Sequence, residues 1–152
     1  HGLGLDGLAH FYKTESISKN KMSKEFIKHS NWPKNLANPY IISASEELLA
    51  KFSDFNSGIT ATAPGFYAPQ GRELRLKPAI ENLHEKINTF NFEGNRITNF
   101  EMETSALYFL GKSLGHNTLT ICAIIGNRIT RKHSKNYKQT VENLILAVLK
   151  KI

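Results

Sequence analysis

The sequence predicts an α/β fold, and three observations carry that reading. Short apolar, β-branched runs alternate with segments of helical amphipathic spacing. The run from Thr118 to Ile125 is continuous and β-branched, as expected of a strand buried on both faces. A second run, Gly58 to Ala63, is stopped abruptly by Pro64-Gly65. At 152 residues the chain suits one domain, 1–152, with one core, and no repeat, low-complexity tract or linker divides it.

The elements follow in order. Gly2-Leu3-Gly4-Leu5-Asp6-Gly7 spells G-x-G-x-x-G, but a dinucleotide fingerprint needs a strand before it and a helix after it. No strand precedes this one, so a glycine-rich bend is expected. Thr14 to Asn38 is polar and weakly helical and closes on Trp32-Pro33 and Asn38-Pro39. Each proline disfavours helix at the residue before it, so a loop-rich excursion with a short helix is predicted. Tyr40 to Ser43 reads as a strand, and Ser43 with Glu46 reads as a capping box opening a helix through Phe52.

Phe66 to Lys77, with Pro69, Gly71 and a cluster of charged residues, reads as a loop. Pro78 at a first helical position, with Ile80, Leu83 and Ile87 after it, predicts the next helix. Phe100, Leu107, Leu110 and Leu114 outline another, with Gly115 as its C-cap. Asn136 to Ile152 makes the last, with Val141, Leu144, Ile145, Val148 and Leu149 on one side.

Composition narrows the function classes. The hydrophobic fraction of 40% is that of a globular protein. A single cysteine, Cys122, allows no internal disulfide and fits a reducing compartment, the cytoplasm. The longest apolar run is too short to span a bilayer. The formal charge of +7 invites a nucleic-acid reading. The cations, however, fall into a loose group at Lys19, Lys21, Lys24 and Lys28 and another at Arg128, Arg131, Lys132, Lys135 and Lys138. Neither group interleaves aromatics in a stacking platform, so solvated basic faces are expected rather than a nucleic-acid or membrane surface.

Two stretches carry chemistry. Phe66-Tyr67-Ala68-Pro69-Gln70-Gly71-Arg72 offers an aromatic face, an amide and a guanidinium. An amide presents donor and acceptor together, matching the adjacent N–H and C=O of a uracil-like edge. A guanidinium supplies donors where charge develops. The bland alternative is a polar surface loop, with Phe66 tucked into the core and Arg72 paired with Glu73 or another carboxylate. The second stretch is Glu101-Met102-Glu103, a thioether between two carboxylates near a helix start. Carboxylates two apart do not share a helix face, so they should hold different jobs. Helix-dipole compensation explains both blandly; the sharper reading makes Glu103 an acceptor for two vicinal hydroxyls, with Met102 as a soft wall.

The ordered set Phe66-Tyr67-x-x-Gln70-x-Arg72, then Phe100-Glu101-Met102-Glu103-Thr104-x-x-Leu107, then an apolar strand ending Asn127-Arg128-Ile129-Thr130, resembles the nucleoside phosphorylases of the uridine phosphorylase type. Gly4-Leu5-Asp6-Gly7-Leu8 followed by Phe11-Tyr12 also resembles a segment of that family. The resemblance implies a single α/β domain with a mixed, twisted central sheet flanked by helices. It implies that Phe66, Gln70, Arg72, Ile125 and Arg128 bind the base, and that Met102 and Glu103 bind the ribose. Arg72 and Glu103 would act in catalysis, which is reversible phosphorolysis of uridine to uracil and ribose 1-phosphate.

Phosphate would be a co-substrate, with no cofactor and no metal. A dimer-based homohexamer with sites completed by neighbouring subunits is also implied. The family's phosphate-binding glycine turn and arginines have no counterpart in this sequence, and Arg96 and Arg131 lack a glycine-rich nest. The start at His1 therefore reads as a cut, with an N-terminal part missing, an exposed sheet edge, and no turnover by this chain alone. The alternatives are a purine nucleoside phosphorylase or nucleosidase on the same fold, a non-catalytic nucleoside-binding remnant and, last, a nucleic-acid binder.

Overall fold

The computed structural model of the chain describes residues 1–13 and 20–152. Its elements are β1 (Gly2–Gly4), α1 (Lys21–Ser30), β2 (Tyr40–Ile42), α2 (Glu46–Lys51), β3 (Ile59–Thr62), α3 (Leu83–Thr89), β4 (Asn91–Phe92), β5 (Asn95–Glu101), α4 (Thr104–Ser113), β6 (Gly126–Asn127), β7 (Lys132–His133) and α5 (Tyr137–Leu149). Single 3-10 turns lie at Leu8–Phe11 and Ala68–Gln70. The opening of the polar excursion, 14–19 with Lys19, lies outside the described residues.

β1, β3 and β5 run parallel in the middle of a five-stranded sheet of order β2-β1-β3-β5-β4, and β2 and β4 are antiparallel flanks. The two-residue period of a strand sorts the faces. Leu3, Leu5, Ile41, Ile59 and Ala61 point to one side, where Phe26 of α1 and Leu83, Ile87 and Phe90 around α3 bury them. Phe26 and Phe90 meet edge to face at 5.2 Å, worth about 0.5–1.5 kcal/mol beyond their buried area. Tyr40 and Ile42 point to the other side, against Tyr108 and Phe109 of α4. The result is a mixed sheet between helical layers, as the family resemblance implies.

Several elements depart from expectation. Gly2–Gly4 is a buried strand and not a bend. Missing side chains are what place it there, since a Cβ on Gly4 would lie 2.3 Å from the Tyr40 ring. α2 is capped by Ser45, whose hydroxyl accepts from the Leu48 N–H, and not by Ser43. α3 begins at Leu83 rather than at Pro78, because Asn82 adopts a left-handed conformation at φ 53°. Ile80 still packs on the core without belonging to a helix. Phe100 belongs to β5, and α4 starts only at Thr104.

The largest correction concerns Thr118 to Ile125, which joins no ladder among the described residues. Its backbone bonds go elsewhere: the Thr118 carbonyl accepts from Ser45 N–H at 2.9 Å, Thr120 N–H donates to the Tyr108 hydroxyl at 3.0 Å, and the Ile125 carbonyl accepts from Ser134 N–H at 2.9 Å. Nor is it buried on both faces, since Ile124 and Ile125 are each more than half exposed. Strand propensity needs a neighbouring strand to pair with, and none of the described strands pairs with this run. α5 forms where expected, with its Asn136 cap accepting from Gln139 N–H, but Val141, Ile145 and Leu149 on its apolar side face solvent.

At the opposite edge the outer groups of β2 are closed by side chains. Asn20 donates its amide to the Ile41 carbonyl at 3.0 Å, and the Ile41 N–H donates to the Ser23 hydroxyl at 2.9 Å.

Candidate active site

The parallel register of β1, β3 and β5 aligns Gly4 with Thr62 and Thr62 with Glu101, so the loops after all three strands leave from one end of the sheet. That end is where open α/β sheets place ligands. The loop after β3 carries Phe66 to Arg72, and the turn after β5 carries Met102 and Glu103.

Gln70 closes a single 3-10 turn, and Gly71 at φ 72° reverses the chain so that the Arg72 N–H reaches the Tyr67 carbonyl at 3.0 Å. A Cβ on Gly71 would meet His84 Nε2 at 3.0 Å. The Gln70 side chain is buried, at 2% exposure. Its Oε1 accepts from Arg72 at 2.8 Å and from Arg128 as well. Guanidinium groups only donate, so the amide oxygen must face them and the Nε2 donor is the end left for a ligand. Arg72 also donates to the Phe66 carbonyl, and its guanidinium lies 3.6 Å above the Phe66 ring. Phe66 is 53% exposed rather than tucked into the core, and Arg72 bonds the amide and a carbonyl rather than Glu73.

Arg128 stands 5.3 Å over the Phe100 ring. Burial, then the neighbouring Arg72, lower its pKa from the usual guanidinium value. His84, edge-on to Phe100 at 6.3 Å, is pushed below the ordinary imidazole value by burial first and then by Arg128 and Arg72. The ring is therefore neutral at pH 7, and the local charge comes from the two guanidiniums. Such a cluster favours a ligand on which negative charge develops.

The two acids divide as their spacing implies. Glu101 accepts from the Glu103 and Thr104 N–H groups at 2.8 and 2.7 Å and from the Thr62 hydroxyl at 2.6 Å, holding the first turn of α4. Glu103 is exposed and accepts only a 3.2 Å bond from the Met102 N–H among the described residues, so most of its capacity is free. Met102 is 40% exposed beside it.

The structure thus gathers Phe66, Gln70, Arg72 and Arg128 by direct contact. It sets Met102 and Glu103 at the same end of the sheet, facing solvent. A cavity of about 180 Å³ lies behind Arg128, between α3, β5 and the β6–β7 hairpin, and it is lined by Ile124 rather than Ile125.

The family model described as the Phosphorylase superfamily matches residues 10–151. The chain belongs to this superfamily. Uridine phosphorylase of Thermococcus kodakarensis is 30% identical over 126 residues, which are 81% of this chain and 42% of that protein. A solved nucleoside phosphorylase from Trypanosoma brucei, described as showing uridine phosphorylase activity, superposes with a TM-score of 0.78 at 21% identity. The match covers 93% of this chain and 52% of that one. This chain therefore spans about half the length of the phosphorylases it matches, and it shares their fold.

Sequence reading missed His84 and the supports of α4, namely Asp6, Thr62 and Ser105. A lone histidine on an amphipathic helix carries no signal of a neighbouring cation pair. Asp6 stood inside the resemblance but without a role.

Proposed function

We propose that these residues form the base-and-ribose portion of a pyrimidine nucleoside phosphorylase that splits uridine with phosphate into uracil and ribose 1-phosphate. One observation carries the reading: Gln70 is held by Arg72 and Arg128 so that its amide donor and the guanidiniums converge where a keto base can dock. The exposed face of Phe66 serves the base plane, and Ile125 closes the base side. Glu103 accepts the two ribose hydroxyls and Met102 walls the sugar.

In the reaction the N1–C1′ bond breaks and its electron pair leaves with the base, while a phosphate oxygen bonds C1′. The departing base carries negative charge over its carbonyl oxygens, and Arg72 faces that charge. Each such donor contributes roughly a hundred- to a thousandfold in rate. Glu103 holds the ring hydroxyls as positive charge grows on the sugar. A purine reading would want an acid near Gly126-Asn127 to protonate the leaving base, and these residues supply none.

Phosphate is a co-substrate in this reading, and no other cofactor takes part. Phosphate-binding groups and a neighbouring subunit's residues come from outside these 152 residues, in a dimer-based hexamer in the cytoplasm serving pyrimidine salvage. This chain by itself then binds but does not turn over. The test is a panel of uridine, inosine and adenosine, each with and without phosphate, on the native protein containing this chain. Uracil release that requires phosphate is expected. Release without phosphate, or from purine nucleosides alone, ends the proposal.

A further inference from the structure

Asp6 lies just past the end of β1, at the same end of the sheet as the candidate site. Its carboxylate is fully engaged. One oxygen accepts from the Leu8 N–H at 2.9 Å and from the Tyr40 hydroxyl at 2.8 Å, and the other accepts from the Ser105 hydroxyl at 2.5 Å. Ser105 and Tyr40 are both wholly buried, so neither hydroxyl meets a ligand. Tyr40 also lies within 3.3 Å of Ser105, and its ring rests where Gly4 has no side chain. Ser105 sits in the first turn of α4, two positions after Glu103. Its N–H donates to Thr62 Oγ1 at 2.9 Å, and Thr62 in turn donates to Glu101.

From this network we infer that Asp6 is a positioning residue for Glu103, an inference that rests on the ribose reading above. The Asp6–Ser105 bond joins segments 99 residues apart in sequence and ties the first turn of α4 to the end of β1. Glu101 fixes the same turn from β5 through the turn's backbone N–H groups, and Thr62 adds a tie to the adjacent β3. A helix start held by two neighbouring strands can still tilt about their shared edge, whereas the Asp6 bond adds β1 as a third anchor and removes that freedom. The direction of the Glu103 side chain is set by that turn. Charge-assisted hydrogen bonds to a carboxylate are short and strong, which suits a strut of this kind. A displacement of about 1 Å at a reacting centre costs on the order of a hundredfold in rate.

The test compares kcat/KM for uridine and 2′-deoxyuridine in the native protein containing this chain, for the wild type, D6N, S105A and E103A. Loss of Glu103 lowers the uridine to 2′-deoxyuridine ratio, because one partner hydroxyl exists only on the ribonucleoside. D6N is expected to lower that ratio about tenfold, toward the E103A value, and S105A, which removes one buried hydroxyl, is expected to move it the same way. A merely structural role lowers both substrates by one factor and leaves the ratio alone. That result in both D6N and S105A, with the ratio altered in E103A, overturns the inference while the ribose reading survives. A ratio unmoved in E103A removes the ribose reading and the inference with it.

Discussion

The carboxylate of Glu101 accepts the backbone N–H of Glu103 at 2.8 Å, so one acid of the pair holds the other in place. The pair therefore separates by experiment. E101A removes two bonds at the start of α4 and a third to Thr62 of β3, and is expected to destabilise the fold by about 1–2 kcal/mol, the scale of a lost helix cap. E103Q should leave the urea midpoint within error and weaken uridine binding. Equal stability losses in the two variants would show that the division of labour is wrong.

Arg72 touches both the Gln70 amide and the Phe66 ring. R72A is expected to reduce phosphorolysis by about a hundred- to a thousandfold, the magnitude of one lost donor on developing charge. Steady-state kinetics with saturating phosphate reads this, and near-normal turnover takes Arg72 out of the mechanism.

Gln70 gives a sharper test, because its oxygen is claimed by two cations. Q70E keeps that oxygen contact and strengthens it, but exchanges the free N–H donor for a second acceptor. Melting temperature should hold or rise while uracil affinity, read by calorimetry, falls at least tenfold. Retained affinity would mean that the amide donor does not face the base.

His84 reports the cation pair from outside it. Burial first, then Arg128 and Arg72, hold its titration below the ordinary imidazole value of about 6.5. Proton NMR should place its midpoint there, and R128Q should raise it. The folded ring resists protonation more than the unfolded one does, so its contribution to stability is complete above the unfolded value and is lost as pH falls below it. A midpoint unmoved by R128Q would place the guanidinium elsewhere.

Gly4 tests the packing behind α4. G4A sets a methyl 2.3 Å from the Tyr40 ring, and overpacking of this kind costs about 1–3 kcal/mol. A lowered denaturation midpoint is expected, and an unchanged one would mean that Tyr40 moves freely.

Local signals made parts of this fold legible. Tyr40–Ile42, Ile59–Thr62 and Tyr137–Leu149 declare themselves through β-branching, a Pro-Gly stop and helical spacing. Gly2–Gly4 did not, because its strand character comes from Tyr40 and Tyr108 closing over bare glycines, which is a tertiary fact. Asn95–Glu101 was hidden because its tail merges into the helix pattern of Leu107 and Leu110. Thr118 to Ile125 misled in the other direction, since β-branching records suitability for a sheet and not the presence of a partner. At the site, Gln70, Arg72 and Glu103 were readable as chemistry. The convergence of Arg128 on Gln70 across 58 residues was not, nor was His84 beneath Gly71.

The closure of β2 by Asn20 and Ser23 gives the sheet a polarity. One flank is sealed by hydroxyl and amide groups that mimic a neighbouring chain, so extension by hydrogen-bonded backbone is blocked there. Pairing with further backbone is left to the opposite flank, at the two-residue β4 and the stretch of β5 that β4 does not cover. The molecule accretes from a single direction.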